Sequence, residues 1–399
     1  MDFEMHYSEE QEKFREEVRS WLKANIRQDL KAPCDEGKIT REFHEHGMEI
    51  RRKLGKKGWL APRYPKEYGG GGLPVEEAVI VAEEMVDYQI YLPYDSGLIL
   101  AAPAIMVWGT EEQKQRYLPS ILTGELITWQ CFSEPEAGTD LASLKLRADK
   151  DGDDFVLNGQ KLFIGNDFEV DWLYTLGITD PSKPRHANIG AFIVPADSPG
   201  ITIEPMNMIA GKTKNSIFYD NVRVNRAQLI GGETDGWRVS QSTLEVEHGG
   251  MGGGVRRDRF VEQLFDVCRK TRRNGQALSK DPDVRSALVE IWMGSQTKSL
   301  FEMRNYWMRT AQVPWAWEGA QSVLYEKLRM PKVAQMVRDI FGLQALTTDP
   351  EWQLMDGEIE NQQRMSIMTH GGGTPEAQKI IMARRVGITK TRQSAASIF

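Results

Sequence analysis

The sequence is short of the residues from which metal centres and disulfide frameworks are built. It has three cysteines, Cys34, Cys131 and Cys268, and none of their spacings suits a metal site or a redox pair. So few thiols suit a reducing compartment, and a cytoplasmic location is expected. The six histidines are scattered and form no ligand cluster, so no metal is expected. No run approaches the roughly 20 apolar residues that cross a bilayer, so no membrane partner is expected. The opening stretch "MDFEMHYSEEQEKFREE" is acidic and carries a helix cap, which reads as neither a secretory signal nor an Arg-rich transit peptide. Positive charge is also in short supply. A net charge of −7 argues against non-specific nucleic-acid binding, and the basic "ARRVGITKTRQ" reads as a solvated helix end. The glycine-rich "PKEYGGGGLP" lacks the Lys-Ser/Thr ending of a phosphate-binding loop.

What is present describes a globular chain of 399 residues, long enough for two or three domains at roughly 100–200 residues each. Residues 1–125 carry a helical pattern. Ser8 and Gln11 form a capping box ahead of Phe14, Val18, Trp21 and Leu22, and Thr110 with Gln113 forms a second. Residues 126–235 change texture to short β-like runs. Asp151-Gly152 and Asn158-Gly159 both read there as hairpin turns. From 236 to 399 the helical spacing returns, as in "RFVEQLFDVCRKTRR". The expected fold is α+β and mostly α. An N-terminal helical domain (1–125) and a C-terminal helical bundle (236–399) flank a small middle β domain (126–235), and subunits join through the C-terminal helices.

Three stretches could carry chemistry. In "WQCFSEPEAGTDLASL" (129–144), Glu134-Pro135 and Ala137-Gly138-Thr139 cannot extend a helix. They leave an ordered loop with hydroxyls at Ser133 and Thr139; a plain domain-linking turn is the competing reading. In "STLEVEHGGMGGGVRRDR" (242–259), Glu245 and Glu247 fall about 200° apart on a helix. Glu247 lies three residues after Leu244 and four before Met251, on the inward stripe, with Glu245 opposite. A carboxylate on a buried face is costly unless it is functional or paired, for instance with an Arg of a neighbouring helix. The glycines of 249–254 cost roughly 1 kcal/mol each inside a helix, which makes room for close packing or a bulky ligand, or else marks a surface loop. In "MTHGGGTPEAQKIIMARR" (368–385), three glycines feed a helix with Thr374 at N-cap, Pro375 at its first position and Ala377, Ile380, Ile381 and Ala383 as its apolar side. Such a run brings backbone close to something, commonly an anion.

"EPEAGTD" and "NGQKLFI", at this spacing and in this helix–β–helix order, resemble the acyl-CoA dehydrogenase family over essentially the whole chain. The resemblance implies an FAD enzyme that inserts a double bond between Cα and Cβ of an acyl-CoA thioester. It places Gln130, Phe132, Ser133, Gly138 and Thr139 along the flavin, with Thr139 also touching the acyl-CoA. Phe163, Ile164 and Gly165 back the flavin ring; Gly165 stands where relatives carry Thr or Ser. Gly342, in "RDIFGLQ", matches an FAD contact across a subunit boundary, with Leu343 in place of a usual Gly. Thr374 and Glu376 complete the cofactor set, and no single Arg of "CRKTRRNG" is assigned to it. Gly372 falls where most members carry the catalytic Glu. In isovaleryl-CoA and long-chain relatives the base comes from the helix after the β domain, which aligns it with Glu247, beside His248. Glu245, His248 and Gly372 join Thr139 as substrate contacts, the last through its backbone N–H. Electron-transfer flavoprotein is the expected electron acceptor. The assembly is a homo-oligomer or a heterotetramer with a sister chain, and the substrate a branched, cyclic or steroid acyl-CoA. The competing readings are a non-catalytic partner subunit, or a monooxygenase or desulfinase on the same fold.

Overall fold

A computed structural model describes residues 6–27, 29–30, 33–88, 90–166, 168–208, 213–245, 258–313 and 316–388. Helices come first: α1 (Glu9–Asn25), α2 (Arg41–Lys56), α3 (Val75–Met85), α4 (Ala102–Trp108) and α5 (Glu111–Leu122). Both expected capping boxes form, at Ser8 with Gln11 and at Thr110 with Gln113. Immediately before α4 the chain makes a π-helical turn, Gly97–Ala101.

The sheet follows. Its strands are β1 (Thr128–Cys131), β2 (Arg147–Asp151), β3 (Asp154–Ile164), β4 (Trp172–Ile178), β5 (Ile189–Pro195), β6 (Ile201–Asn207), β7 (Thr213–Asn225) and β8 (Leu229–Ile230). They run in the order β6-β7-β3-β2-β4-β5-β8, and β1 pairs with β4 in parallel. Period-two alternation sends neighbouring side chains to opposite faces. Trp129, Cys131, Phe155, Leu173 and Phe192 pack inside the sheet, whereas Phe132, Tyr174 and Leu176 pack against Ala101, Ile105 and Leu118 of the first helices. Burying one such side chain fully is worth roughly 1.5–3 kcal/mol.

Helices resume with α6 (Gly236–Glu245), α7 (Arg259–Lys270), α8 (Pro282–Thr310), α9 (Glu318–Phe341), α10 (Glu358–Met365) and α11 (Pro375–Arg385). Val261, Leu264, Leu288, Ile291, Val337 and Ile340 give the later helices a core of their own. Among the described residues no helix is long and apolar enough to cross a membrane, and no group of His, Cys, Asp or Glu could hold a metal ion.

Two local expectations need correction, and one hairpin went unread. Asp151-Gly152 does turn β2 into β3, but Asn158-Gly159 lies inside β3. There the register against β7 slips between Leu157 and Gly159, and Gly159 adopts φ 147°. A Cβ at 159 would come within 3.0 Å of the Leu146 backbone, so the glycine serves a close approach and a bulge. Conversely, Asn274-Gly275, at φ 52° and 79°, turns a hairpin between β9 (Arg272–Arg273) and β10 (Gln276–Ala277). On α11 the wholly buried residue is Gln378, while Ile380 is 48% exposed.

Candidate functional site

The 130–139 loop is stapled to the end of β3. After β1 the chain doubles back: Glu134 N–H donates to Ala137 O (2.8 Å) and Ala137 N–H returns to Glu134 O (3.1 Å). The buried Glu134 carboxylate accepts the backbone N–H groups of Lys145 (2.6 Å) and Leu146 (3.0 Å). It also takes Lys161 Nζ at 2.7 Å. Lys161 is wholly buried and donates again to Phe132 O at 3.2 Å. Burial pushes its pKa down, against the pull of the Glu134 carboxylate. Leu162 N–H donates to Ser133 O at 2.9 Å. The result is a satisfied buried ion pair, the kind whose single-partner loss is costly. Gln130 and Ser133 are half-buried and Phe132 is buried, while Gly138 and Thr139 are exposed. A Cβ at Gly138 would meet nothing within 4 Å.

Beyond Lys161 the strand end is distorted. Phe163 sits at φ 63°, a left-handed conformation rare for an aromatic residue, with half its surface exposed. Ile164 is buried. Gly165 is also left-handed, at φ 60°, and a Cβ there would lie 2.3 Å from the Trp129 ring. No hydroxyl-bearing residue fits at 165 while Trp129 fills that space. Lys214 Nζ holds the Gly165 carbonyl at 2.6 Å and stands 4.8 Å above the Tyr94 ring. Asn215 Nδ2 donates to the Ile164 and Asn166 carbonyls at 3.0 and 2.7 Å. Just after, Phe168 stacks on His44 of α2 at 4.0 Å. The Cys131 thiol, buried beneath the loop, is pushed up to about 12 by desolvation.

On the helical side, α6 is anchored by its hydroxyls. Ser242 accepts the Trp108 indole N–H at 2.9 Å, and Thr243 donates to the Leu100 carbonyl of the π-helical turn at 3.0 Å. Leu244 packs on the core shared by the sheet and first helices, as the inward stripe requires. α6 is described as far as Glu245. The expected base Glu247 and its neighbour His248 lie outside the described residues, as does the side chain of Glu245.

The glycine loop is held through its carbonyls. Lys327 Nζ of α9 donates to Thr369 O at 2.9 Å and to Gly371 O, and Gln378 Nε2 donates to Gly372 O at 3.0 Å. Gly372 and Gly373 take left-handed φ values of 64° and 78°. Thr374 caps α11 by accepting Ala377 N–H at 3.1 Å, Pro375 follows as expected, and Glu376 is exposed in the first turn. Gly342 ends α9 at φ 60° with nothing within 4 Å of a Cβ, and Leu343 beside it is 85% exposed. The structure thus joins the loop 130–139 to Phe163, Ile164 and Gly165, while Gly342, Gly372, Thr374 and Glu376 belong to the later helices. Lys161, Tyr174, Thr243, Lys327 and Gln378 went unnoticed in the sequence analysis. Only Lys161 carried a signal there, as the Lys of "NGQKLFI".

Comparison with known proteins gives matches along the whole chain. Residues 8–125, 130–222 and 234–387 match the acyl-CoA dehydrogenase N-terminal, middle and C-terminal domain models in turn. The chain is 31% identical over 395 residues to the acyl-CoA dehydrogenase IpdE1 of Mycobacterium tuberculosis, covering 94% of this chain and 97% of that one. Among solved structures, the Tcur3481–Tcur3483 steroid ACAD is similar at TM-score 0.82 and 28% identity, covering 98% of this chain and all (100%) of that one. The ChsE4–ChsE5 complex from Mycobacterium tuberculosis is similar at TM-score 0.79 and 27% identity, covering 96% and 98%.

Proposed function

The chain belongs to the acyl-CoA dehydrogenase family, and from that premise we propose that it dehydrogenates a bulky branched, cyclic or steroid acyl-CoA between Cα and Cβ, using FAD. The observation that carries this reading is the loop 130–139, ion-paired through Glu134 and Lys161 to a strand end that presents the half-exposed Phe163 ring. The residues fit a flat, phosphate-bearing cofactor. The backbone at Gly138 and Gly342 is open to close approach, the Phe163 face is free for stacking, and the Thr374-capped start of α11 offers N–H groups of the kind that hold phosphate. In this reading Gln130, Phe132, Ser133, Gly138, Thr139, Phe163, Ile164 and Gly165 hold the flavin ring, and Gly342, Thr374 and Glu376 its remaining contacts. FAD, when bound, supplies the acceptor for the hydride that leaves Cβ.

Glu247 takes the α-proton, and its carboxylate must come within hydrogen-bond reach of Cα to do so. Gly372 has no side chain to act as base, but its N–H polarises the thioester carbonyl, which stabilises charge developing on that oxygen. Thr139, Glu245 and His248 contact the CoA ester. The bulky substrate is supported by the similarity to a solved steroid ACAD and by the glycines of 249–254. Electron-transfer flavoprotein is the proposed acceptor, and a homo-oligomer or a heterotetramer with a sister chain the proposed assembly. The segments 1–125, 126–235 and 236–399 are its proposed domains.

A second reading has a specific observation behind it. Gly372 replaces the usual carboxylate, which suits the silent chain of an unequal pair. Flavin content tests both. The protein, alone or with its sister chain, should purify yellow with about one FAD per active site, and this chain's own sites should bleach on adding acyl-CoA. A colourless protein that gains no FAD with any plausible partner sinks the enzyme reading; bleaching confined to the sister chain favours the second.

A further inference from the structure

One hydrogen-bond chain ties the two halves of the site together. Thr243 and Tyr174 are both wholly buried. Thr243 Oγ1 donates to Leu100 O at 3.0 Å and lies 3.2 Å from Tyr174 Oη. A hydroxyl has one proton to give, so Tyr174 must be the donor to Thr243. The chain Tyr174 → Thr243 → Leu100 therefore joins β4, α6 and the π-helical turn at one point. The Tyr174 ring also packs edge-on against Phe132 of the flavin-side loop, with ring centres 5.1 Å apart and planes at 62°. Thr243 in turn precedes Glu247 by four residues in the sequence. A π-helical turn often marks a functional site, and here its Leu100 carbonyl is satisfied by a side chain of the helix leading to the base.

We propose that Tyr174 and Thr243 are positioning residues that set the separation between the flavin-side loop and the base-bearing helix. This rests on the reading of Glu247 as base. Thr243→Val keeps the volume but removes the side-chain bond to the Leu100 carbonyl and takes away the acceptor of the Tyr174 hydroxyl, freeing α6 to shift. A shift of about 1 Å at reacting atoms can cost on the order of 10²-fold. Tyr174→Phe breaks only the outer link, and Thr243→Ser keeps both.

The test is stopped-flow flavin reduction by a saturating steroid-side-chain acyl-CoA, in protein purified with any sister chain that FAD retention requires. Thr243→Val should reduce roughly 10–100-fold slower. Tyr174→Phe should lose several-fold and Thr243→Ser stay near wild type, with KM, FAD content and visible spectrum unchanged in all three. The double variant Tyr174→Phe/Thr243→Val should be no slower than Thr243→Val alone, because both cut one chain. Thr243→Val at the wild-type rate while Glu247→Gln is slow overturns this proposal and leaves the base reading standing. Glu247→Gln at the wild-type rate removes both. A Thr243→Val that sheds FAD and is not restored by serine overturns it in favour of a purely structural role.

Discussion

Two loops frame the site, and they are held by opposite means. The 130–139 loop is held by side chains: a buried carboxylate, a buried ammonium and an aromatic pair fix where its backbone runs. The 369–374 loop is held by its carbonyls, which Lys327 and Gln378 reach from neighbouring helices. The first kind of loop depends on side-chain charge and punishes its removal. The second is rich in glycine, takes left-handed backbone at 372 and 373, and along 371–373 has only main-chain groups to offer a ligand. In the proposed reaction the proton goes to Glu247, which lies outside both loops.

The sharpest way to test that division is to neutralise the helix carboxylate. Glu247→Gln should cut flavin reduction by roughly 10²–10⁴-fold, measured in a single turnover with FAD binding intact, while Glu245→Gln changes little. A wild-type rate for the first and a dead second would reverse the helix face assigned to the base. Next in size is Lys161→Met, which strands the buried Glu134 charge. It should cost about 3–5 kcal/mol in a denaturant titration, and an unmoved midpoint would mean that the loop is not held by its ion pair. Lys327→Met removes two carbonyl contacts from the glycine loop and should leave the denaturation midpoint almost in place. Its effect belongs in binding, at up to about tenfold in KM for acyl-CoA, or ~1.4 kcal/mol. If stability falls as far as in Lys161→Met, the contrast between the loops fails. Gly372→Glu in the Glu247→Gln background should recover only part of the rate, because a left-handed Glu costs about 1–2 kcal/mol.

The smallest effect is a pH slope. Burial lowers the pKa of His44, whose ring stacks on Phe168 and faces Glu169 and Arg41. The folded state therefore holds a neutral imidazole where the unfolded chain titrates at about 6.5. Stability is full above that value and falls as pH drops from it through the lower folded pKa. Protection from hydrogen exchange, relative to the intrinsic amide rate at each pH, should fall around residues 163–170 at acidic pH while that of 369–374 stays constant. His44→Phe should flatten that dependence.

Much of the architecture was legible because it rests on local chemistry. The Ser8, Thr110 and Thr374 caps state where helices begin, and each forms as written. The two Asn-Gly pairs show the limit. Asn274-Gly275 turns a hairpin that went unread, whereas Asn158-Gly159 is drawn into a long strand as a bulge. The local preference is the same in both, and the partner strand decides. In the site, the loop and strand motifs were readable because they are contiguous. Tyr174 and Thr243 were not, since each looks like an ordinary strand or helix residue until tertiary packing brings them together from 69 positions apart.

The Trp129 ring and the missing side chain of Gly165 occupy one volume. Substitutions at the two positions are therefore coupled, and 165 cannot grow alone. A larger residue at 165 has to follow a smaller one at 129, and because the backbone at 165 is left-handed, the strand end must re-form in the same step.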